Sequence, residues 1–376
     1  MHFPEIRGRL GFGCMRLAQG ADGKADRALF STLVDRFLAA GFNYFDTAHV
    51  YLDGDSELAL RDCLTERYPR EAYLLADKLS DSCFEASEDI RPFFERQLAA
   101  CGVEYFDFYL MHCIVEDNYE KFRRCRGFET AFALKREGKI RHVGFSFHEG
   151  PELLERVLKE YPEVEFVQLQ INYLDYDTAP VEGKANLEVC ARYGKPVIVM
   201  EPVKGGKLAA LPAAAQEALA ACSAGSAASY ALRFSANCPQ VVLTLSGMNS
   251  EMQLEDNLSV MAEAKPLSEK EQGAVEEVCR ILRAQGMYQC TDCRYCVKGC
   301  PQNIFIPRLL FLANNRRAFD DMTAIRKYQR EILSSSPASA CVGCGQCESV
   351  CPQHLPIRSY LGKISEEFDA YETIIS

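Results

Sequence analysis

A chain of 376 residues is long for one compact domain, so two domains of unequal size, or one α/β barrel with a small appendage, are expected. With 42 Lys and Arg against 53 Asp and Glu, the formal charge of −11 disfavours a nonspecific nucleic-acid or anionic-membrane surface, and leaves small molecules or proteins as partners. The 48 % hydrophobic and 25 % charged shares are those of a globular chain with a full core; no export signal or membrane span is visible, so a cytoplasmic location is expected.

Short runs rich in β-branched and aromatic residues recur from the start: a first strand near 9–13, then "FNYFD" at 42–46, "AYLLADK" at 72–78 and "YFDFYLMH" at 105–112. The series continues with "IRHVGFS" at 140–146, "VEFVQLQ" at 164–170, "KPVIVME" at 195–201 and "QVVLTLS" at 240–246. Amphipathic stretches such as "DRALFSTLVDRFLAAG", "RPFFERQLAACG" and "GPELLERVLKEYP" lie between them and end in Gly or Pro. Eight strand-plus-helix units by about residue 263 predict a closed parallel (β/α)8 TIM barrel. An open doubly wound sheet is the rival, but no G-x-G-x-x-G follows a strand.

Boundaries are placed at 1–266 for the barrel, 267–287 for a linking helix whose Ser268 and Glu271 suggest a capping box, and 288–376 for a small helical ferredoxin-like domain. The segment "HCIVEDNYEKFRRCRG" at 112–127 is expected as a loop forming part of the pocket wall.

Of 18 cysteines, ten from Cys14 to Cys279 are scattered without spacing and read as small buried hydrophobes. The other eight fall in two runs, "CTDCRYCVKGCP" and "CVGCGQCESVCP". Three thiols at steps of three wrap one face of an inorganic cluster, and a fourth, followed by Pro, reaches the other cluster, as in bacterial two-cluster ferredoxins. One [4Fe–4S] cluster is thereby assigned to Cys290, Cys293, Cys296 and Cys351, and a second to Cys341, Cys344, Cys347 and Cys300. Structural zinc is the alternative, but it has no use for the third cysteine or the proline.

At the barrel mouth, Asp46 and Tyr51 follow the second strand, Lys78 closes the third and His112 the fourth. A Tyr51 phenol, with an unperturbed pKa of about 10, can act as general acid toward a carbonyl if the Lys78 ammonium stabilises the phenolate left behind. Asp46 would keep that ammonium charged, and His112 would donate to the oxygen as negative charge develops. Taken singly, the Asp reads as a helix cap, the Lys or Tyr as a surface or core residue and the His as structural more often than catalytic, and only their conjunction favours chemistry. The segment "EPVKGGKL" reads either as an ordinary basic turn or as a phosphate loop, with Gly205 and Gly206 for close approach and Lys204 and Lys207 for pyrophosphate.

Together "LGFGCMRL", "FDTAHVYLDGDSE", "LLADK", "YFDFYLMH" and "GKIRHVGFSFH" resemble the aldo-keto reductases, and the cysteine tail resembles their iron–sulfur-containing branch. The resemblance implies the same barrel and a catalytic tetrad of Asp46, Tyr51, Lys78 and His112. It further implies a nicotinamide cofactor, NADH or NADPH, held by Gly13, Cys14, Met15, Ser146, Gln168, Met200, Glu201, Pro202, Lys204, Gly206, Gln253 and Asn257. Phe147 stands where the family has Asn, Met200 where many members stack an aromatic ring, and Gln253 where NADPH-preferring relatives have Arg.

Three functions follow. The first is carbonyl or alcohol redox chemistry with a nicotinamide, the clusters exchanging electrons with a protein partner or second centre. The second exchanges the nicotinamide for a flavin, which can split an electron pair. The third is a non-enzymatic electron-transfer or redox-sensing protein.

Overall fold

The computed structural model describes residues 3–178, 181–222, 225–288, 290, 294–351 and 354–369. The chain divides into two compact units: the larger contains the barrel and runs to Glu269, and the smaller runs from Lys270 and includes the helix Ala213–Ala220.

The larger unit is the barrel expected. Strands β1 (Leu10–Gly13), β2 (Tyr44–Asp46), β3 (Leu74–Leu79), β4 (Phe106–Ile114), β5 (Ile140–Phe147), β6 (Phe166–Gln170), β7 (Val197–Met200) and β8 (Val241–Ser246) pair in parallel in chain order. Leu10 beside Thr244 closes the ring. Alternate residues on a strand face opposite sides, so each strand feeds two cores. Tyr44, Ala76, Phe108, Leu110, Phe166, Ile198, Leu243 and Leu245 fill the interior, whereas Phe45, Leu75, Tyr109, Phe145, Val167 and Val199 meet the surrounding helices.

The interior is packed closely enough to dictate glycines. A Cβ on Gly144 would lie 2.5 Å from the Phe166 ring, and one on Gly11 would lie 2.6 Å from Leu245. Phe3 seals the lower end, edge-on to Phe108 and Phe166 with centroids 5.3 and 6.0 Å away.

The helices form where the apolar spacing placed them. Phe30, Leu33, Val34 and Phe37 make the buried stripe of the helix Arg27–Ala39, whose first turn is capped by the Asp26 side chain accepting from Leu29 N. The stretch 112–127 differs from expectation: it contains a helix, Glu116–Arg124, rather than a continuous loop. Asn118 Oδ1 accepts from Val115 N at the helix start, acidic Glu116 and Asp117 precede basic Lys121, Arg123 and Arg124, and Tyr119 and Phe122 bury one face.

Five of the thirteen left-handed non-glycine residues among those described lie at C-terminal strand ends: Leu52 (φ 51°) and Asp53 (φ 53°) after β2, Cys113 (φ 57°) in β4, and Glu201 (φ 53°) and Lys204 (φ 49°) after β7. Such strain persists where surrounding structure holds it, commonly at functional sites. Cys113 marks a register shift in β4, so the strand continues past His112 and pairs Ile114 with Phe147.

The smaller unit is helical. Ile306–Phe319, Thr323–Glu331 and Ile357–Ile364 enclose a core of Ile306, Leu309, Leu310, Ile325, Tyr328 and Leu361, against which Cys296 and Cys347 pack. The cysteine duplication is also a backbone duplication. Arg294 (φ 61°) and Gly345 (φ 78°) each precede a one-turn helix, Tyr295–Lys298 and Gln346–Ser349. Asn303 N and His354 N bond Cys300 O and Cys351 O, both at 3.1 Å.

Candidate active site and thiolate sites

The four residues expected to act together meet inside the C-terminal mouth of the barrel. Lys78 has no exposed side-chain surface; its Nζ donates to Asp46 Oδ1 and to the Thr47 carbonyl, both at 2.6 Å. The same ammonium lies 4.8 Å from the Tyr51 ring centroid, and Tyr51 stands edge-on to His112 at 5.7 Å. Asp46 also accepts from Gln168 Nε2 at 3.0 Å, which places that residue of the expected cofactor set in the same polar cluster.

Charge in this largely buried cluster is strongly directed. Burial opposes the Lys78 ammonium, but Asp46 and Tyr51 overcome it and raise its pKa, so the lysine stays charged. Burial also raises the Tyr51 phenol above its ordinary value and outweighs the lowering by Lys78. Tyr51 therefore holds its proton through neutral pH. His112 is driven well below the usual imidazole range by burial, by Lys78 and by His148, so it is neutral. Its Nδ1 lies 2.6 Å from Ser80 Oγ. A hydroxyl donating there leaves the other nitrogen protonated, the tautomer that can donate to a substrate oxygen.

Ser80 was not singled out by sequence, although it follows Lys78 by two positions and the period of a strand brings it to the same side. A second group was also missed. Asp77 faces the helices, fully buried, and is hydrogen-bonded to Glu57, 1 % exposed. Asp77 Oδ1 accepts from Lys78 N at 2.7 Å, Glu57 Oε2 lies 2.9 Å from His49 Nδ1, and Gln97 Nε2 reaches Glu57 Oε1 at 3.3 Å. Burial pushes Glu57 up to about 7; burial and the Glu57 charge push Asp77 well above the carboxylate range. A raised carboxyl pKa means the folded chain binds more protons than the unfolded one, so stability is greatest below the unfolded value of about 4.3 and falls as pH rises toward about 7. Glu57→Gln is therefore expected to raise the melting temperature at pH 8 by roughly 2 °C or more in thermal unfolding, and to raise it progressively less as the pH is lowered toward about 4.

The remaining expected cofactor residues line the same end of the barrel. Gly13, Ser146 and Met200 lie at the ends of β1, β5 and β7, and Ser146 Oγ accepts from Cys113 N at 2.7 Å. Cys14 is buried and its carbonyl accepts from Ser56 Oγ at 3.0 Å, whereas Met15 is half exposed. After β7, Glu201 and buried Pro202 lead into a turn in which Gly205 (φ 66°) and Gly206 (φ 96°) keep the backbone open. A Cβ on Gly205 would lie 3.1 Å from the Arg16 guanidinium. Lys204 Nζ is engaged by Asp175 at 2.5 Å. Gln253 Oε1 accepts from Asn249 N at 2.9 Å, and Asn257 Nδ2 donates to Ser246 Oγ at 2.8 Å.

In the smaller unit, Cys300, Cys341, Cys344 and Cys347 line one cavity, so the fourth cysteine of the first run stands with the first three of the second. The run of three cysteines at steps of three that supplies Cys341, Cys344 and Cys347 is the spacing of a multi-iron cluster rather than of structural zinc. Of the other set, Cys290, Cys296 and Cys351 pack at the same core, and Cys293 lies outside the described residues.

Residues 9–280 match the profile of the Aldo/keto reductase family, and residues 289–355 match that of a 4Fe-4S dicluster domain. An uncharacterized oxidoreductase, YqkF, of Bacillus subtilis is 28 % identical over 214 residues, 54 % of this chain; the chain thus spans 63 % of that relative's length. An uncharacterized oxidoreductase of Schizosaccharomyces pombe is 28 % identical over 260 residues, 66 % of this chain and 80 % of that protein. Among solved structures, an aldo-keto reductase from Bacillus halodurans in its holo form aligns with a TM-score of 0.57 at 25 % identity, covering 72 % of this chain and 91 % of that one. One from Klebsiella pneumoniae in complex with NADPH aligns at 0.59 and 18 %, covering 72 % and 90 %. No helix among the described residues is long and apolar enough to cross a membrane.

Proposed function

Because the chain belongs to the aldo/keto reductase family, a family of oxidoreductases, we propose that its barrel reduces a small carbonyl compound, or oxidises the corresponding alcohol, with a nicotinamide cofactor, while two [4Fe–4S] clusters in its tail pass single electrons to a partner or a second centre. The observation that carries this reading is the buried ion pair of Lys78 and Asp46 beneath the Tyr51 ring, with neutral His112 at its edge. A bound nicotinamide would supply hydride to the carbonyl carbon. Tyr51 gives its phenolic proton to the carbonyl oxygen, and the Lys78 charge stabilises the phenolate until a proton returns. Asp46 holds the ammonium in place, and His112 donates to the oxygen as negative charge grows there.

The residues suit such a cofactor. Open glycine backbone at 205–206, the Ser146 hydroxyl and the Gln168 amide offer close approach and polar contacts. Gln253 is neutral and tied to its own helix start, so a 2′-phosphate gains no charged clamp from that position. Protein purified without oxygen tests the whole reading. It should carry iron and sulfide, bind NADH and NADPH, and oxidise the nicotinamide in the presence of small aldehydes. A flavin spectrum surviving cluster removal, with no nicotinamide binding, would replace this cofactor.

A further inference from the structure

The duplicated backbone of the smaller unit lets its two thiolate sites be compared at the described positions, where one ion pair of the second run is not repeated in the first. Arg358 lines the cavity shared by Cys300, Cys341, Cys344 and Cys347. Its Nε and Nη2 grip Glu348 Oε2 at 3.0 and 2.8 Å, its backbone N donates to Glu348 Oε1 at 2.8 Å, and its Nη1 reaches the Gly343 carbonyl at 3.4 Å. The guanidinium lies against Gly345, where an added Cβ would meet it at 3.8 Å. Both glycines are left-handed, at φ 71° and 78°. The pair therefore clamps the turn that carries Cys344 and sets a fixed charge beside the thiols. At the constant offset that relates Cys290 to Cys341 and Cys300 to Cys351, Arg358 corresponds to Pro307 and Glu348 to Val297. Neither can form an ion pair.

We propose that Arg358, oriented by Glu348, sets the reduction potential of the cluster held by Cys341, Cys344, Cys347 and Cys300. This rests on the cluster reading above. The electron added on reduction makes a thiolate-bound cluster more negative, so a guanidinium at its edge favours the reduced form, and the carboxylate partly offsets it. Solvent screening limits the effect, because the Arg358 side chain is 52 % exposed. The two members of the pair act in opposite senses, which a purely structural clamp would not do.

The test is a redox titration of the full chain under argon, with dithionite as electron donor and the clusters read by electron paramagnetic resonance. In the Arg358→Gln variant one of the two one-electron waves should move to lower potential, by about tenfold in the ratio of reduced to oxidised cluster, which is about 59 mV for one electron. Glu348→Gln should move the same wave upward, Arg358→Lys should move it little, and the other wave should stay fixed throughout. If the two neutral variants shift that wave in the same direction, or leave it in place, the inference is overturned while the clusters stand. Loss of the cluster signal in all three variants gives the pair a structural role alone and also overturns it. A wild-type chain without cluster signals overturns the cluster reading and this inference together.

Discussion

Tyr51→Phe is expected to lower kcat/KM for carbonyl reduction by about 10²- to 10⁴-fold, the usual contribution of a positioned general acid. The substitution removes one oxygen and leaves the aromatic ring to fill the same space, so the change reads proton donation rather than packing. Lys78 keeps its contacts with Asp46 and the Thr47 carbonyl, so no buried charge is stranded. Nicotinamide affinity and melting temperature should therefore stay close to wild type. Steady-state kinetics with a small aldehyde, fluorescence titration with the nicotinamide and thermal unfolding measure the three quantities. Turnover within tenfold of wild type would remove Tyr51 from the chemistry. Because burial already holds the phenol protonated, the wild-type rate of carbonyl reduction should not decline with rising pH until well into the alkaline range.

Cys300→Ser should abolish the cluster of the other cysteine run and spare its own. Cys300 lies in the first run yet lines the cavity of Cys341, Cys344 and Cys347. Iron and acid-labile sulfide should fall by about half, one of two paramagnetic signals should vanish, and Cys351→Ser should remove the complementary signal. A loss confined to the cluster of Cys290 and Cys296 would mean that each run binds its own cluster. Structural metal binding is also folding free energy, so the variant should unfold at lower temperature in the tail while the barrel transition stays in place.

Sequence carried the barrel and the four polar residues at its mouth for one reason: strand periodicity and strand ends are local. "YFD" at 44–46 and "LLADKL" at 74–79 declare an inward and an outward set of side chains, and a parallel barrel then leaves one end at which Asp46, Lys78 and His112 can meet. The cysteine runs were legible because their spacing is a local property as well. What escaped depends on which chain segments pack together. Glu57 and Asp77 look like ordinary surface carboxylates in the sequence, and only the helix laid over β3 closes them off from water. Lys204 reads as a free cation until Asp175 is found beside it, and Arg358 gains meaning only from Glu348 ten positions earlier in the chain. The stretch 116–124 was misjudged as a loop because its charges conceal the two buried aromatics, Tyr119 and Phe122.

The aromatic plug formed by Phe3, Phe108 and Phe166 has a kinetic meaning. Together with Tyr44, Leu110, Ile198 and Leu243 it fills the barrel beneath the polar cluster, so on the proposed reading reactants and products would share the C-terminal opening. On that reading a proton returning to Tyr51 would enter by the same opening, and its return would wait on the departure of whatever occupies the mouth.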